Sequence, residues 1–186
     1  MRRPKIDDDA LFEKLLVLFR RNGFVGTRLS DIARETGLQK ASLYHRFPGG
    51  KVEMARVVLE RAFGELEATV LAPLREPGEV LTRARRGLRG LEAFYHGGQA
   101  ACLFETLSLG EDAGELRALI QRAVQACLDA FTALAKDAGL PSATAKRRAA
   151  DAIVQIQGAL VLARIQESPQ VFRRLIRDLP DRLTKA

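Results

Sequence analysis

The stretch LSDIARETGLQKASLYHRF (residues 29–47) decides the fold of this chain. Its spacing predicts two short helices joined by a tight turn. Ile32 and Ala33 lie on the inner face of the first helix. Gly37 comes four residues after Ala33, where the chain must turn, at a backbone angle that glycine takes at least cost. Leu38 anchors the turn from inside, and Leu43 and Phe47 hold the second helix down. Ala33 is small, so the second helix can cross close over the first. This is the spacing of a helix-turn-helix whose second helix enters the major groove of DNA. That helix offers Gln39, Lys40, Ala41, Ser42, Tyr44, His45 and Arg46 outward, mostly groups that can bond bases or phosphates. Helix pairs with a glycine turn also occur in all-α proteins that never touch DNA. The polar makeup of the second helix therefore carries the reading as much as the spacing does.

The flanks extend it. Leu11, Phe12, Leu15, Leu16 and Phe19 share one face of a helix over residues 8–22, stopped by Gly23. Asp7, Asp8 and Asp9 suit its positive N-terminal end, and Arg20 and Arg21 its C-terminal end. Thr27 offers an N-capping hydroxyl to the next helix, residues 28–36. A third helix covers residues 40–47.

Charge points the same way. The chain of 186 residues carries a net charge of +7. Residues 1–51 hold eleven Lys and Arg against six acids, so most of the excess sits in under a third of the chain. A basic balance there favours a polyanion as partner. Hydrophobic residues make up 47%, enough for a sizeable core. Cys102 and Cys127 form no CxxC pair and sit in apolar helical context, as free thiols of a reducing cytoplasm do. The N-terminus has no apolar signal core and no run approaches membrane-spanning length, so the expected location is cytoplasmic, away from any membrane.

Beyond Pro48-Gly49-Gly50 the helical period continues almost without strand signals. A long helix starts near Lys51 and ends before Pro73. Another covers residues 79–95, with Arg83, Arg85, Arg86 and Arg89 along it. His96-Gly97-Gly98 is a loop, and residues 102–109 form a short apolar helix closed by Gly110. Two long helices, residues 113–138 and 142–167, are joined by Gly139-Leu140-Pro141 as an antiparallel hairpin. A last helix covers residues 170–179. The expected architecture is all-α, with a DNA-binding domain over residues 1–52 and a larger helical domain over residues 53–186. The division falls near the start of the fourth helix, which belongs to both halves.

The two long helices carry small residues at helical spacing: Ala126, Ala130 and Ala133 on one, Ala149, Ala152, Ile156, Ala159 and Ala163 on the other. Such a face lets another helix approach closely. Larger residues, Leu116, Ile120, Val124, Cys127, Phe131 and Leu134 among them, lie beside it. Two buried faces per helix exceed what one hairpin needs, which predicts a homodimer joined through the small faces.

Taken together, Thr27, Ile32-Ala33, Gly37-Leu38, the run from Ala41 to Phe47 and Lys51 resemble the DNA-binding domain of the TetR family of bacterial transcriptional regulators. The wording Phe47-Pro48-Gly49-Gly50-Lys51 resembles the branch that includes LmrA and YxaF. The resemblance covers about residues 8–55. It implies an all-α homodimer whose N-terminal heads read two half-sites of a palindromic operator in double-stranded DNA. It implies a larger C-terminal domain that binds a small effector and dimerises through its last two long helices. Carried onto this chain, Thr27, Tyr44, His45 and Lys51 would hold phosphates. Gln39, Lys40, Ala41 and Ser42 would face base edges, with Arg28 nearby. The double glycine before Lys51 departs from the pattern and weakens that one assignment. Side-chain chemistry agrees independently: Gln can pair with adenine, Lys can reach guanine, and the Ala41 methyl can meet a thymine methyl.

An effector pocket would draw on Phe63, Leu66, Phe94, Tyr95, Cys102, Phe104, Ile120 and Val124, most of which would be core in any case. Aromatic residues are only 6% and tryptophan is absent, so an apolar small molecule suits such a pocket better than one needing an aromatic cage. No HExxH, Walker loop or nucleophile elbow appears, and neither an enzyme nor a cofactor or metal site is expected. The alternative is a helical interaction or ligand-binding module without sequence-specific DNA binding. It would explain the helices but not the basic, polar second helix.

Overall fold

A computed structural model describes residues 6–109 and 114–185. The positions expected to close the short apolar helix (Gly110) and to open the next (Ala113) lie outside them. Among the described residues every regular element is helical: α1 (Asp8–Gly26), α2 (Leu29–Thr36), α3 (Lys40–Arg46), α4 (Gly50–Leu66), α5 (Ala72–Arg75), α6 (Val80–Phe94), α7 (Leu103–Thr106), α8 (Gly114–Asp137), α9 (Ser142–Ile165) and α10 (Gln170–Thr184). A π-helical turn, Glu67–Leu71, joins α4 to α5, and a 3-10 turn, His96–Gly98, follows α6.

The chain divides into two compact units. One comprises Met1–Arg61 and Leu103–Ile120, the other Ala62–Cys102 and Gln121–Ala186. The division therefore falls inside α4, nine residues beyond the boundary expected after residue 52. It also brings α7 and the start of α8 into the N-terminal unit. Sequence order hid this, because Leu103–Thr106 is only one helical turn and carries no head-like signal of its own. In the structure α7 packs on α1, and the Thr106 hydroxyl donates to the Phe19 carbonyl oxygen at 3.3 Å.

In the N-terminal unit, Asp7 caps α1 by accepting the Ala10 N–H at 2.7 Å. The regular run of α1 breaks at Gly23 (φ 65°) and one further turn carries it to Gly26. Leu15, Leu18, Phe19 and Phe24 from α1 are fully buried, as are Ile32, Leu43, Met54 and Leu59. At about 25 cal/mol per Å² of apolar surface removed from water, such side chains are the main force holding three short helices that could not stand alone.

In the C-terminal unit α10 packs on both α6 and α9, and the π-helical turn and α5 pack on α6. The close contact of α6 rests on Gly90: a Cβ there would lie 2.0 Å from the Thr69 carbonyl oxygen. Arg83, inside the same helix, is buried and bonds Asp137 at 2.8 Å and the Glu76 carbonyl at 2.9 Å. The last helix runs to Thr184, past Pro180, where the sequence predicted a stop at Leu179.

The small-residue face of α9 does not face outward. Ala149, Ala152, Ile156, Ala159 and Ala163 are buried within the single chain, and so is Ala130 of α8. Among the elements packed on α9 are α10 and the His96–Gly98 turn. These six residues thus let the chain's own elements close over them and are not available to a partner, which corrects the expected dimer face. Of that set only Ala126, half-buried, and Ala133, exposed, reach the surface.

Candidate nucleic-acid interface

The turn between α2 and α3 is built as its residues dictate. Arg28 precedes α2 as its N-cap residue, and its backbone N–H donates to Asp31 Oδ2 at 3.3 Å. Asp31 also pairs with Arg34 at 2.9 Å. The Thr36 hydroxyl donates to the Ile32 carbonyl oxygen at 2.7 Å and accepts the Leu38 N–H at 3.3 Å. Gly37 takes the left-handed conformation (φ 71°, ψ 7°) that ends α2. From α1, Lys14 Nζ reaches the Glu35 carbonyl at 2.5 Å, placing a cation at the negative end of α2.

These contacts present the N-terminal part of α3 to solvent. Gln39 is its N-cap residue, and its side chain is not used as a cap. Gln39, Lys40, Ala41, Ser42, Tyr44 and His45 are all exposed, while Leu43 between them is fully buried. One short helix thus carries five polar side chains and one methyl outward on a single apolar anchor. Arg28 is exposed at the start of α2.

Three positions differ from expectation. Thr27 is fully buried, and its hydroxyl donates to the Gly23 carbonyl at 2.6 Å. It neither caps α2 nor reaches a phosphate in this conformation. The break at Gly23 frees that carbonyl, and Thr27 satisfies it. Lys51 is half-buried, with its Nζ 2.9 Å from the Phe24 carbonyl oxygen and 4.2 Å from the centre of the Phe24 ring. Its ammonium is already engaged inside the unit. The start of α4 is occupied as well, since Glu53 Oε2 accepts the Gly49 N–H at 2.8 Å. Arg46, expected on the outward face, is half-buried, donates to the Ile6 carbonyl at 3.0 Å and faces Asp8 at 3.3 Å. No sequence signal pointed to the partners of Lys51 and Arg46, because Phe24 and Ile6 lie 27 and 40 residues away in the chain.

The residues assigned to an effector pocket separate between the two units. Phe104 and Ile120 belong to the N-terminal unit, and Val124 is 39% exposed, so it lines no interior. Leu66, Phe94, Tyr95 and Cys102 are buried in the C-terminal unit, and Phe63 is half-buried there. Tyr95 meets Phe94 edge-on at 5.1 Å and Phe172 at 6.0 Å. Two donors converge on Cys102 Sγ: the Tyr95 hydroxyl at 3.5 Å and the Gln157 amide at 3.4 Å.

Comparison with known proteins agrees with this arrangement. Residues 11–58 match the family described as bacterial regulatory proteins, tetR family. Residues 91–178 match the C-terminal domain described as transcriptional regulator LmrA/YxaF-like. The chain is 25% identical over 181 residues to the HTH-type transcriptional regulator LmrA of Bacillus subtilis (strain 168), covering 90% of this chain and 92% of that one. A TetR transcriptional regulator from Legionella pneumophila superposes with a TM-score of 0.78 at 14% identity, over 95% of this chain and 97% of that chain. The regulator CifR, as a cysteine mutant complexed with 26-bp operator DNA, superposes with a TM-score of 0.77 at 18% identity, over 96% and 98% of the two chains. The two structural likenesses bear on the fold.

Proposed function

Because the chain belongs to the TetR family of bacterial transcriptional regulators, in its LmrA/YxaF-like branch, we propose that it represses transcription by binding a palindromic operator as a homodimer and lets go when a small apolar effector binds. The observation that carries this reading is the exposed run from Gln39 to His45, held on buried Leu43 behind the Gly37 turn. Gln39, Lys40, Ala41 and Ser42 read base edges in the major groove, and Tyr44 and His45 hold the flanking phosphates. Arg28 adds a cation beside them. Lys51 serves by bracing α4 against Phe24, with its charge close to the DNA-facing surface.

Two copies meet through a different face of α9 from the alanine stripe. Val154, Val161, Leu162 and Ile165 are 70, 40, 45 and 73% exposed, and they recur at spacings of three and four around Gly158. Among the described residues, nothing beyond the helix's own nearby backbone lies within 4 Å of a Cβ built on Gly158, so a partner helix can approach there. With Val124 of α8 and the exposed Ala133, this is apolar surface that a lone chain would leave in water. The effector lodges in the C-terminal unit near Leu66, Phe94 and Tyr95, where α4 ends; the same helix begins beside the reading head.

Fluorescence anisotropy with a labelled palindrome from the protein's own promoter region tests the reading. Sequence-specific binding should appear, with a steep dependence on salt as phosphate contacts displace counterions. Tyr44→Ala should flatten that dependence, and Gln39→Ala should blur base preference by roughly 1–3 kcal/mol per lost contact. Equal affinity for the palindrome and for scrambled DNA would favour the helical interaction module instead.

A further inference from the structure

The N-terminal unit holds a cleft of about 500 Å³ that the reading of DNA does not use. Leu11 and Leu15 of α1 and Val57 and Val58 of α4 form its apolar lining, and Phe47, the residue that ends α3, stands in its wall. Two arginines guard it. Arg46 comes from the last turn of α3, and Arg61 lies over the Phe12 ring at 4.1 Å. The volume is that of a small-molecule site rather than a packing defect.

We propose that this cleft is a second effector site, in the DNA-reading head itself, and that its ligand is an amphipathic carboxylate. The tail lies on the leucine and valine floor, and the carboxylate is held between Arg46 and Arg61. The charges favour an anion. The carboxylates now facing the two arginines belong to Asp8, at 3.3 Å from Arg46, and Asp9, at 2.7 Å from Arg61. Their side chains are 91 and 81% exposed, and pairs held so openly contribute little. Exchanging them for a ligand carboxylate therefore costs little. Arg46 is the better anchor of the two. Its side chain is only 22% exposed, and among the described residues its buried Nη1 has the 3.3 Å ion pair with exposed Asp8 but no hydrogen bond, so a ligand carboxylate at hydrogen-bond distance would serve it better.

Occupation reaches the DNA through α3. Arg46 and Phe47 close the helix whose other end offers Gln39 and Lys40 outward. A ligand that draws Arg46 from Asp8 and the Ile6 carbonyl shifts that end of the helix. It also places a negative charge behind the surface that faces phosphates. Both effects weaken operator binding, and by linkage the operator weakens ligand binding by the same factor. The site is independent of the effector reading in the C-terminal unit, and the two can be told apart.

Decanoate is a suitable probe, with 1-decanol as its uncharged match, titrated calorimetrically into the full-length protein. The expected result is decanoate binding that decanol does not reproduce. It should weaken about tenfold in Arg61→Gln, as the loss of one charged hydrogen bond implies. It should be lost in Val57→Trp, which fills the cleft, and be retained in Leu66→Trp, which alters the other unit. Arg61 is about half exposed, so Arg61→Gln keeps the test decisive if Val57→Trp folds poorly. Absence of decanoate binding, equal affinity for decanol, or binding insensitive to Arg61→Gln would overturn the proposal. So would binding that is lost in Leu66→Trp and kept in Val57→Trp.

Discussion

Lys51 Nζ lies 2.9 Å from the carbonyl oxygen of Phe24 and 4.2 Å above the ring of the same residue. One side chain thus ties the start of α4 to the last turn of α1 by a charged hydrogen bond and a cation–π contact. Together these are worth roughly 1–3 kcal/mol when partly desolvated. Lys51→Ala should therefore lower the unfolding free energy by about that amount. Tyr44→Ala, at an exposed site, should change it by less than about 0.5 kcal/mol. Denaturant titration of both variants checks this. Unchanged stability in Lys51→Ala would mean that its ammonium is free for phosphate after all.

Much of the head was legible in residues 29–47 because its determinants are local. Gly37, Leu38 and Leu43 lie within seven positions of one another, and the helical period alone assigns each to a face. The buried hydroxyl of Thr27 was not legible, since it depends on how α1 breaks at Gly23. The alanines of α9 show the other limit. Periodicity says that Ala149, Ala152 and Ala159 share a buried face, but it does not say which helix covers them. Here the cover comes from within the chain, and the side proposed to face a partner carries exposed valine, leucine and isoleucine instead. The last helix continues past Pro180 to Thr184, beyond the stop expected at Leu179.

Gly90 supplies a sharp test of the C-terminal unit. A Cβ at this position would stand 2.0 Å from the Thr69 carbonyl oxygen, a backbone atom that cannot rotate away. The usual helix-propensity gain of Gly→Ala, about 1 kcal/mol, is then outweighed by the overlap. Gly90→Ala should lower stability by roughly 1–3 kcal/mol, whereas Gly64→Ala, in open space within α4, should raise it or leave it unchanged. Thermal melts showing both variants stabilised would mean that α6 and the π-helical turn sit farther apart.

Cys127 sets a pH dependence. Burial pushes its thiol up to about 12, with the neighbouring Cys102 thiol and Glu67 carboxylate adding to the effect. The unfolded chain releases this proton near 9, while the folded chain keeps it. The stabilisation is therefore complete below about 9 and is lost as pH rises towards about 12. Melting temperatures measured across that window should fall more steeply in the wild type than in Cys127→Ala. Iodoacetamide should label the native thiol slowly. Parallel pH profiles for the two proteins would contradict the assignment.

The dimer face yields a paired prediction. Ile165 is 73% and Val154 70% exposed, on the side of α9 opposite the alanines, so a charge at either site meets water in a single folded chain. Ile165→Glu and Val154→Arg should therefore leave each protomer folded but hold it as a monomer. Operator affinity should collapse, since one head alone engages one half-site. Ala152→Glu places its charge at a residue that is 1% exposed. It should cost several kcal/mol and unfold the chain rather than merely dissociate it. Sedimentation velocity together with far-UV circular dichroism separates the outcomes. Folded monomers from Ile165→Glu beside an unfolded Ala152→Glu fit the outer face. A folded, monomeric Ala152→Glu with a dimeric Ile165→Glu would return the interface to the alanine stripe.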